Sequence, residues 1–483
     1  MSAAPMPIVW TIAGSDSGGG AGIQADLKTF QSLGVHGCSV ITSLTAQNTR
    51  GVQNVEHVSP GMIMAQLFAL EEDLPPAAIK LGMLGNIESV ESVADFLDTA
   101  KSYIVCDPVM MATHGAALLE GTAFNTFRDE ILPYVNLLTP NRPEAETLLS
   151  YKIDDAAEME KAAHDLLKFG AKAVLLKGGH MRGALASDFW TNGKDSAWLN
   201  SPRIDTMHTH GGGCTLSAAI AAGIALGLDE LSAIVVAKAY VNQGLRGATK
   251  IGDGRNPLAH LGWPHDPQDL PWVSNDWKNP RPQFPMIGKM RSPYVIVDRA
   301  DWIEKLLPLG IAMIQLRAKD LSGAALDAEV KRAIELGRKF GAQVFINDAW
   351  ELALKYGAFG VHLGQDDLPK ADLAAIQKAG LRLGLSTHNF AEIARAMAVV
   401  PSYLAIGTLF ESPSKSFAHL PLGLENFKKM RPLVEVPVVA IGGITLERAA
   451  EVRAAGADCC AVISDVTRAA DLAGRVAAWL KMN

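Results

Sequence analysis

Short apolar runs alternate with amphipathic segments of helical period in the first half of the chain. The apolar runs lie at residues 8–13, 39–44, 78–81, 103–106, 136–138 and 173–177. The segments between them predict helices at residues 24–33, 61–70, 89–97 and 158–169. Strands that alternate with helices in this way predict a mainly parallel sheet with helices on both faces, which is a doubly wound α/β fold.

The same alternation begins again at residue 294 and repeats eight times. The candidate strands are residues 294–297, 311–316, 343–347, 359–363, 381–385, 403–406, 438–441 and 460–463. A helical segment follows each strand, for example at residues 324–340, 371–379, 390–399 and 446–455. Eight such βα units predict a closed (β/α)8 TIM barrel over residues 292–483, at the small end of the size range of this fold.

The stretch between the two patterns is rich in proline and tryptophan. Six prolines and three tryptophans fall between residues 262 and 290. Proline at this density blocks helices and central strands and favours extended conformations, while the tryptophans indicate that parts of the stretch lie against a domain surface. We therefore predict a first domain at residues 1–262, an interdomain linker at residues 263–291 and a second domain at residues 292–483.

Composition and charge narrow the class of protein. Hydrophobic residues make up 48% and charged residues 20% of the 483 positions, which is typical of a soluble globular protein. A net charge of −7, without a dense basic stripe, argues against a nucleic-acid partner. No stretch predicts a secretory leader or a membrane span, so no membrane partner is expected.

The five cysteines show no disulfide framework and indicate free thiols in a reducing cytosol. We therefore expect a cytoplasmic protein. Four of the cysteines lie in apolar runs and are expected to be small core residues, namely Cys38, Cys106, Cys459 and Cys460.

Three consecutive glycines, Gly211, Gly212 and Gly213, lead into a run of small helix-forming residues. Glycine lets the backbone turn tightly and approach a ligand, and the following helix offers unpaired N–H groups to an anion. Cys214 stands at the start of that helix, where its thiol is expected to ionise more readily than in water. The alternative is an ordinary glycine-rich loop before a core helix, which these residues alone leave open.

Polar side chains follow several predicted strands of the first domain, where ligands bind in this fold. Asp26 is either a solvated helix residue or an acceptor for a donor-rich ligand edge. Gln47 offers a donor and an acceptor, which suits a heterocyclic amide or amidine edge. Asp107 is a candidate for holding Mg²⁺ through water, and Lys177 for neutralising a phosphate. A structural role is the alternative for each.

A set of motifs in this half resembles bacterial hydroxymethylpyrimidine/phosphomethylpyrimidine kinases from about residue 8 to 262. The motifs are residues 11–29, 40–48, 82–84, 107–110, 139–144 and 177–180 together with the glycine run. The resemblance implies a ribokinase-like fold that phosphorylates the pyrimidine alcohol and then its monophosphate, with ATP as co-substrate and Mg²⁺.

The resemblance also implies site residues. By it, the aminopyrimidine would be bound by Asp26, Gln47 and Met83. Asp107, Glu144 and Lys177 would bind Mg²⁺ and the ATP phosphates. The transferring phosphoryl group would lie in an anion hole formed by Gly211, Gly213 and Cys214.

Two features of the glycine run remain open under this resemblance. Sugar kinases of the ribokinase-like class carry an aspartate base where the pyrimidine branch and this chain have Cys214. Gly212 stands where the family usually has threonine, so we predict a looser but competent loop. A metal site formed by His208, His210 and Cys214 is a further alternative, although its spacing fits no standard site.

Charged residues also follow the predicted barrel strands. Arg317 and Lys319 occupy alternate positions, so both point the same way and predict a diphosphate clamp. Asp348 and Asp367 follow the next two strands, where carboxylates suit Mg²⁺ bridging that diphosphate. Surface salt bridging is the alternative. A second phosphate cluster is predicted at Ser412, Pro413, Ser414, Lys415, Gly442, Gly443, Ile463 and Ser464.

Two phosphate clusters in one barrel mouth predict two phosphorylated substrates. Residues 292–481 resemble thiamine phosphate synthases in the motifs at residues 294–298, 315–319, 347–348, 362–367, 383–388, 407–415, 440–445 and 462–464. The resemblance implies that pyrimidine diphosphate binds at Gln315, Leu316, Arg317, Ala318, Lys319, Asn347 and Lys415, with Ser386 near the pyrimidine. Mg²⁺ would be held by Asp348 and Asp367, and thiazole phosphate by Ser412, Pro413, Ser414, Gly442, Gly443, Ile463 and Ser464.

Three positions depart from the synthase pattern, although we expect all to be tolerated. Ala318 replaces a common acidic residue, and Ser412 and Ser414 replace common threonines. The implied chemistry is loss of diphosphate to Mg²⁺, Arg317 and Lys319, which leaves an aminopyrimidine-stabilised cation that the thiazole nitrogen attacks.

Together the two resemblances imply a bifunctional enzyme of thiamine phosphate biosynthesis, whose kinase half prepares the diphosphate that the barrel half consumes. One alternative is a kinase half specialised for pyridoxal or related vitamers. Another is that one half is a degenerate binding or regulatory module. Enzymes of both fold classes often self-associate, so a homo-oligomer is an expectation.

Overall fold

A ten-stranded sheet frames the first half of the chain in this computed structural model, and a closed barrel frames the second. The structure describes residues 5–110, 118–121, 123–179, 181, 183–278, 280–288, 290–411 and 421–482. The chain divides into two compact units, Met1–Asn279 and Pro280–Asn483.

The sheet of the first unit has a parallel centre and antiparallel edges. Its strands are β1 (Ile8–Asp16), β2 (His36–Asn48), β3 (Gly51–His57), β4 (Ala78–Leu81), β5 (Tyr103–Cys106), β6 (Leu137–Leu138), β7 (Ala173–Leu176), β8 (Leu185–Thr191), β9 (Ser196–Pro202) and β10 (Trp272–Ser274). The strand order is β10-β9-β8-β7-β6-β5-β4-β1-β2-β3, and β2, β1, β4, β5, β6 and β7 are parallel neighbours. The chain order reverses between β1 and β4, which in such sheets opens a crevice for ligands.

Helices cover this sheet. They are α1 (Gly22–Leu33), α2 (Pro60–Asp73), α3 (Ile87–Leu97), α4 (Ala123–Thr126), α5 (Arg142–Leu149), α6 (Ala156–Leu167), α7 (Gly212–Ala225) and α8 (Glu230–Arg246). A π-helical turn at Phe127–Ile131 and a 3₁₀ turn at Leu132–Tyr134 follow α4. Every residue of α7 from Thr215 to Gly223 is buried, so this helix of small residues lies in the core with its N-terminus at the crevice.

The doubly wound fold predicted from the sequence is confirmed, but four strands at the edges were not predicted. β3 pairs antiparallel with β2, and β8 and β9 form an antiparallel hairpin. β10 lies inside the stretch for which the sequence predicts a linker. It pairs with β9 because Trp272 and Val273 are apolar and buried, and proline is tolerated beside an edge strand.

The second unit is a closed barrel of parallel strands within residues 290–411 and 421–482. Its strands are β11 (Tyr294–Val297), β12 (Met313–Leu316), β13 (Gln343–Asn347), β14 (Gly360–Leu363), β15 (Arg382–Thr387), β16 (Tyr403–Ile406), β17 (Val438–Ile441) and β18 (Cys459–Val462), and β18 pairs with β11. The helices are α9 (Ala300–Leu306), α10 (Gly323–Phe340), α11 (Trp350–Tyr356), α12 (Leu373–Lys378), α13 (Phe390–Met397), α14 (Gly423–Met430), α15 (Leu446–Ala454), α16 (Ser464–Thr467) and α17 (Leu472–Leu480). Single 3₁₀ turns lie at Leu307–Leu309, Leu368–Lys370 and Arg431–Leu433.

The predicted TIM barrel is therefore confirmed, and the ends of its strands differ from the prediction by at most two residues. The barrel interior contains three aromatic side chains in edge-to-face contact. Phe345 lies 5.9 Å from Tyr294 and 5.3 Å from Tyr403, measured between ring centroids. Cys38, Cys106, Cys459 and Cys460 are buried, as predicted for small core residues.

Within the described ranges, no helix is both long enough and apolar enough to cross a bilayer.

Candidate active sites

Glycines bring two loops of the first unit together at the end of β1. Gly211 has φ of 75°, and a Cβ there would overlap the carbonyl oxygen of Gly20. Gly22 has φ of 56°, and a Cβ there would overlap the carbonyl oxygen of Gly14. Only glycine permits these close approaches, so the loop after β1 and the loop before α7 form one cradle.

Asp16 organises this cradle, and the sequence analysis did not single it out. Its carboxylate accepts hydrogen bonds from the backbone N–H groups of Gly18, Gly20 and Ala21 at 2.8–2.9 Å, and His210 Nε2 lies 3.2 Å away. Burial opposes ionisation, but the hydrogen bonds from His210 and the backbone lower the pKa of Asp16. A fixed carboxylate therefore holds the glycine loop in shape.

Asp26 is a fully buried residue, which excludes the interpretation of a solvated helix position. Its Oδ2 accepts from Thr11 Oγ1 at 2.6 Å and from Lys80 Nζ at 2.7 Å, whereas Oδ1 has no hydrogen-bond partner within the described residues. Burial raises the pKa of Asp26 and outweighs the opposing charge of Lys80. A buried acceptor without a partner is suited to a donor on a bound ligand.

Lys80 is a second charged group that the sequence analysis missed. It lies on β4 and is completely buried. Burial disfavours its charged form, but the charges of Asp26, Cys214 and Asp107 raise the pKa of Lys80. A lysine inside an otherwise apolar strand was the available signal, because buried lysine needs a partner.

Gln47 and Met83 lie at the same end of the sheet as Asp26. The Gln47 amide nitrogen is 3.2 Å from His210 Nε2, which in turn contacts Asp16. The Met83 carbonyl accepts from Thr42 at 2.6 Å, and its sulfur would lie 3.0 Å from a Cβ at Gly14. All three residues implied for the aminopyrimidine therefore surround the end of β1.

A second group of charges lies at the ends of β5 and β7. Lys177 Nζ donates to Asp107 Oδ1 at 2.7 Å, and both side chains are largely buried. A Cβ at Gly213 would lie 3.1 Å from Asp107 Oδ2 and 3.2 Å from Lys177 Nζ. The backbone of α7 therefore reaches the ion pair at its first turn, where unpaired N–H groups add to the positive charge.

Glu144 is close to this ion pair but also caps a helix. Its Oε2 accepts from the Asn141 backbone N–H at 2.7 Å, while the Asn141 side chain accepts from the Glu144 N–H at 3.0 Å. Burial, opposed by Lys177 and reinforced by Asp107, raises the pKa of Glu144 to about 7. Burial also disfavours the charged form of Lys177, but Asp107 and Glu144 raise its pKa.

The expected acidity of Cys214 is wrong. Desolvation raises the pKa of its thiol to about 11, although the charge of Lys80 lowers it. The helix N-terminus that motivated the expectation does not compensate for the low polarity around the thiol and the nearby charges of Asp26 and Asp107. No cluster of three metal-ligating side chains exists in the described part of the chain, so His208, His210 and Cys214 do not form one.

The mouth of the barrel carries the second set of predicted residues. Lys319 Nζ lies 3.3 Å from Asp348 Oδ2. Burial raises the pKa of Asp348, and the charge of Asp367 raises it further. The charges of Lys319 and Arg317 lower it. These four charges are therefore close enough to influence one another, as the predicted clamp requires.

The backbone fixes Asp348 in an unusual conformation. It has φ of 61°, and its N–H donates to the His362 carbonyl at 3.0 Å. Non-glycine residues adopt this region rarely, and they cluster at functional sites. Asn347, the last residue of β13, precedes it in the mouth. A Cβ at Gly364 would lie 3.4 Å from Asp367 Oδ2, so that carboxylate rests against the loop after β14.

Three of the residues implied for the pyrimidine diphosphate are buried below the mouth. Gln315, Leu316 and Ala318 are exposed by 2%, 1% and 9%. The Gln315 amide donates to the Tyr294 hydroxyl at 3.0 Å, so its side chain is engaged inside the barrel. The side chains of Leu316 and Ala318 are likewise buried, so they have little surface in the mouth.

Only part of the predicted second phosphate cluster lies in the described residues. Gly442 and Gly443 have φ of 103° and 61°, and a Cβ at either would overlap the loop after β16. Ile463 precedes the single-turn helix that begins at Ser464. Ser412, Pro413, Ser414 and Lys415 lie outside the described residues.

Comparison with known proteins shows which family each half resembles. A family profile described as phosphomethylpyrimidine kinase matches residues 16–259, and one described as thiamine monophosphate synthase matches residues 293–466. Thiamine biosynthetic bifunctional enzyme TH1, chloroplastic, of Arabidopsis thaliana is 36% identical over 464 residues, covering 92% of this chain and 87% of that protein.

Two further proteins match the first half alone. The hydroxymethylpyrimidine/phosphomethylpyrimidine kinase of Synechococcus elongatus is 49% identical over 257 residues, covering 53% of this chain and 98% of that protein. The structure of the pyridoxal kinase from Staphylococcus aureus in complex with pyridoxal has a TM-score of 0.51 at 29% identity, covering 56% of this chain and 98% of that chain. The chain therefore belongs to the family of bifunctional thiamine biosynthetic enzymes and joins a hydroxymethylpyrimidine/phosphomethylpyrimidine kinase to a thiamine phosphate synthase.

Proposed function

We propose that the kinase half binds the aminopyrimidine at Asp26, Gln47 and Met83. The observation that supports this is the buried Asp26 carboxylate, whose Oδ1 lacks a partner and suits a ring amino group. Lys80 donates to the other oxygen and partly offsets the cost of burying the carboxylate charge. An Asp26→Asn variant keeps the shape but replaces an acceptor with an amide, so we expect KM for the pyrimidine to rise at least tenfold while KM for ATP stays the same.

The phosphates of ATP are proposed to bind where α7 meets the Lys177–Asp107 pair. Lys177 and the N–H groups of Gly211 and Gly213 neutralise the transferring phosphoryl group, an electrostatic task that requires no covalent intermediate. Asp107 and Glu144 are oxygen donors suited to Mg²⁺, which shields phosphate charge when bound. ATP binding by Lys177→Met, measured by calorimetry, is expected to weaken at least tenfold.

Cys214 is proposed to accept the proton of the substrate hydroxyl. Loss of kinase activity in Cys214→Ala, with ATP binding retained, would support this role. Full activity in that variant would exclude it. The raised thiol pKa makes the role dependent on Lys80, whose charge favours the thiolate.

The barrel half is proposed to release diphosphate from the pyrimidine and to join the pyrimidine to thiazole phosphate. Arg317 and Lys319 take up the charge that develops on the departing diphosphate, which lowers the barrier to its loss. Asp348 and Asp367 fit Mg²⁺, because that ion takes one or two carboxylates and completes its shell with phosphate oxygens and water. Asn347 and Ser386 orient the pyrimidine, while Gly442, Gly443, Ile463 and Ser464 provide the phosphate site of the thiazole.

Residues 412–415 complete the proposed ligand sites of the barrel. Ser412, Pro413 and Ser414 would add to the thiazole phosphate site, and Lys415 to the diphosphate site. We also propose that the protein works in the cytoplasm on small molecules alone.

One reaction vessel tests both halves. It contains the full chain, hydroxymethylpyrimidine, MgATP and thiazole phosphate. We expect thiamine phosphate to form, and with Asp348→Ala we expect pyrimidine diphosphate to accumulate instead. Absence of any diphosphate intermediate would contradict the kinase assignment, whereas unchanged product formation by Asp348→Ala would contradict the metal-site assignment.

Pyridoxal is a second candidate substrate of the kinase half, favoured by the structural similarity to a pyridoxal kinase. Turnover of the pyrimidine alcohol and of pyridoxal, measured side by side, separates the two candidates. Faster turnover of pyridoxal would reverse the assignment.

We propose that the chain self-associates through exposed apolar side chains of the kinase half. Leu44, Met62 and Phe68 are exposed by 48%, 56% and 56%. Large exposed apolar side chains are candidates for burial at an interface. Sedimentation of the chain and of Phe68→Lys tests whether Phe68 is buried between two copies.

A further inference from the structure

A continuous chain of hydrogen bonds runs through the interior of the barrel to its mouth. The Gln315 amide nitrogen donates to the Tyr294 hydroxyl at 3.0 Å, and that hydroxyl lies 2.9 Å from the Tyr403 hydroxyl. The Tyr403 hydroxyl lies 2.8 Å from His362 Nδ1, and His362 Nε2 lies 2.8 Å from Ser386 Oγ. The first four residues are at most 5% exposed, whereas Ser386 is partly exposed at the end of β15.

The barrel is built to hold this chain. A Cβ at Gly384 would overlap the phenol of Tyr403, so the glycine on β15 makes room for that ring. The His362 and Tyr403 rings are stacked with centroids 5.6 Å apart. The Gln365 amide donates to the Ser386 carbonyl at 2.7 Å and fixes the mouth end of the chain. Each member is therefore held in place by packing as well as by its hydrogen bonds.

The groups at the two ends determine in which direction the hydroxyl protons of the hydrogen-bond chain are donated. The Gln315 amide nitrogen is only a donor, so Tyr294 accepts from it and directs its own proton to Tyr403. The Tyr403 proton is then directed to His362 Nδ1, which must accept it. The reverse direction would leave the buried Tyr294 proton without an acceptor within the described contacts, which is costly.

The imidazole passes this direction on to the mouth. Because His362 Nδ1 accepts the proton of the Tyr403 hydroxyl, the imidazole is neutral. A neutral imidazole has one N–H, and with Nδ1 accepting, that proton is on Nε2 and is donated to Ser386. The Ser386 oxygen is thereby occupied as an acceptor, and its own proton remains for a ligand.

We infer that Gln315, Tyr294, Tyr403 and His362 are positioning residues that fix the Ser386 hydroxyl as a hydrogen-bond donor toward an acceptor nitrogen of the bound pyrimidine ring. This inference rests on the proposed placement of the pyrimidine at Ser386. It assigns to the buried chain a role in specificity: the site favours a ring nitrogen that accepts and disfavours a group that donates at the same position.

The direction is tested first without any substrate. Nitrogen NMR of the full chain with ¹⁵N-labelled histidine, assigned by comparison with His362→Gln, is expected to show the His362 proton on Nε2. In Gln315→Glu the deep end becomes an acceptor, which reverses the chain, so the proton is expected on Nδ1. A proton on Nδ1 in the wild type would overturn the inference, and so would an unchanged tautomer in a folded Gln315→Glu variant.

Recognition is tested by kinetics with a substrate analogue in which C–H replaces the accepting ring nitrogen. We expect the wild type to show a KM for the analogue about tenfold above that for pyrimidine diphosphate, with a smaller change in kcat, since one neutral hydrogen bond is lost. This discrimination is expected to fall to about twofold in Tyr403→Phe and in Ser386→Ala, and the double variant is expected to be no worse than either single one. Additive losses would indicate a merely structural role and would overturn the inference.

A matched control separates the effect of the hydrogen-bond chain from the general effect of removing a tyrosine hydroxyl. The Tyr356 hydroxyl donates to Asp327 at 2.6 Å on the outer helices, so Tyr356→Phe removes one hydrogen bond of the same unit outside the chain. We expect it to retain the wild-type discrimination. Normal KM in Ser386→Ala, with the tautomer as expected, would instead contradict the placement of the pyrimidine and with it the recognition role.

Discussion

Two adjacent glycines of α7 offer a test of how closely the backbone must approach the Lys177–Asp107 pair. A Cβ at Gly213 would lie 3.1 Å from Asp107 Oδ2 and 3.2 Å from Lys177 Nζ. A Cβ at Gly212 meets only Leu258 Cδ2, at 3.8 Å, which is an ordinary contact. Gly213→Ala and Gly212→Ala therefore make the same chemical change one residue apart, but only the first pushes on the ion pair.

The size of the effect follows from these distances. The Gly213→Ala methyl group must move the pair by a few tenths of an ångström, and both partners are too buried to move freely. Since misplacement by 1 Å costs about a hundredfold in rate, we expect kinase kcat/KM for ATP to fall about tenfold. Gly212→Ala is expected to stay within about twofold of the wild type.

Stability separates this effect from misfolding. Replacing glycine by alanine within a helix stabilises it by about 0.5–1 kcal/mol, so Gly212→Ala is expected to raise the free energy of unfolding. In Gly213→Ala that gain is offset by the close contacts, and the net change is expected to be small. Loss of activity without loss of stability is the signature of a displaced ion pair.

The assay uses the second activity of the same chain as its control. Kinase rate is measured by ADP release, and synthase rate by thiamine phosphate formation from supplied pyrimidine diphosphate. We expect the synthase rate to be unchanged in both variants. Equal kinase activity of Gly213→Ala and Gly212→Ala would refute the reasoning. Gly212→Thr, which restores the usual family residue, has room for its Cβ and is expected to lower KM for ATP severalfold.

Three further predictions concern buried groups. Lys80→Met leaves the Asp26 charge unpaired and should lower the free energy of unfolding, measured with urea, by about 3–5 kcal/mol. Adding Asp26→Asn to that variant should recover most of the loss. The pKa of His362 is about 3 in the folded protein and 6.5 in the unfolded chain. Its contribution to the free energy of unfolding is therefore fully present above pH 6.5 and is lost as the pH falls toward 3. His362→Gln should remove a slope of about 1.4 kcal/mol per pH unit from the unfolding free energy in that range. The thiol pKa of about 11 predicts that iodoacetamide modifies Cys214 at pH 8 roughly a hundredfold more slowly than an ordinary cysteine, by mass spectrometry.

The central architecture was predictable because hydrophobic period alone determines it. The barrel strands at Tyr294–Val297, Gln343–Asn347, Tyr403–Ile406 and Val438–Ile441 have the predicted bounds, since each is a short apolar run between polar turns. Such strands are buried on both faces, so their pattern is not confused with a half-exposed surface.

The edge strands were missed because their pattern is weaker. β8 and β9 are joined by residues 192–195, and Asn192-Gly193 is a recognised hairpin signal that the sequence analysis did not use. β10 was hidden by its proline-rich surroundings, although Trp272 and Val273 are more than nine-tenths buried. At an edge, tertiary packing rather than local propensity decides whether a strand forms.

The candidate residues were easier to find than their environment. Asp107 and Lys177 directly follow strands, where the fold predicts ligands, and Asp26 lies near the start of α1. The sequence did not reveal that Lys80 neutralises Asp26, because the two are 54 positions apart. The position of Cys214 at a helix start predicted an acidic thiol. Burial instead raises the pKa of that thiol, and burial depends on the whole fold rather than on the local sequence.

The two sites share an electrostatic arrangement that neither sequence motif displays by itself. In each, the lysine proposed to bind phosphate is already paired with a carboxylate proposed to hold Mg²⁺: Lys177 with Asp107 at 2.7 Å, and Lys319 with Asp348 at 3.3 Å. A phosphate that takes the lysine leaves that carboxylate without its counter-charge in a partly buried place. A divalent cation on that carboxylate restores the charge balance. On the proposed roles, bound phosphate therefore strengthens metal binding, and bound metal strengthens phosphate binding by the same free energy. The pairing thus balances the charge of each phosphate-binding lysine and favours joint binding of the charged ligands.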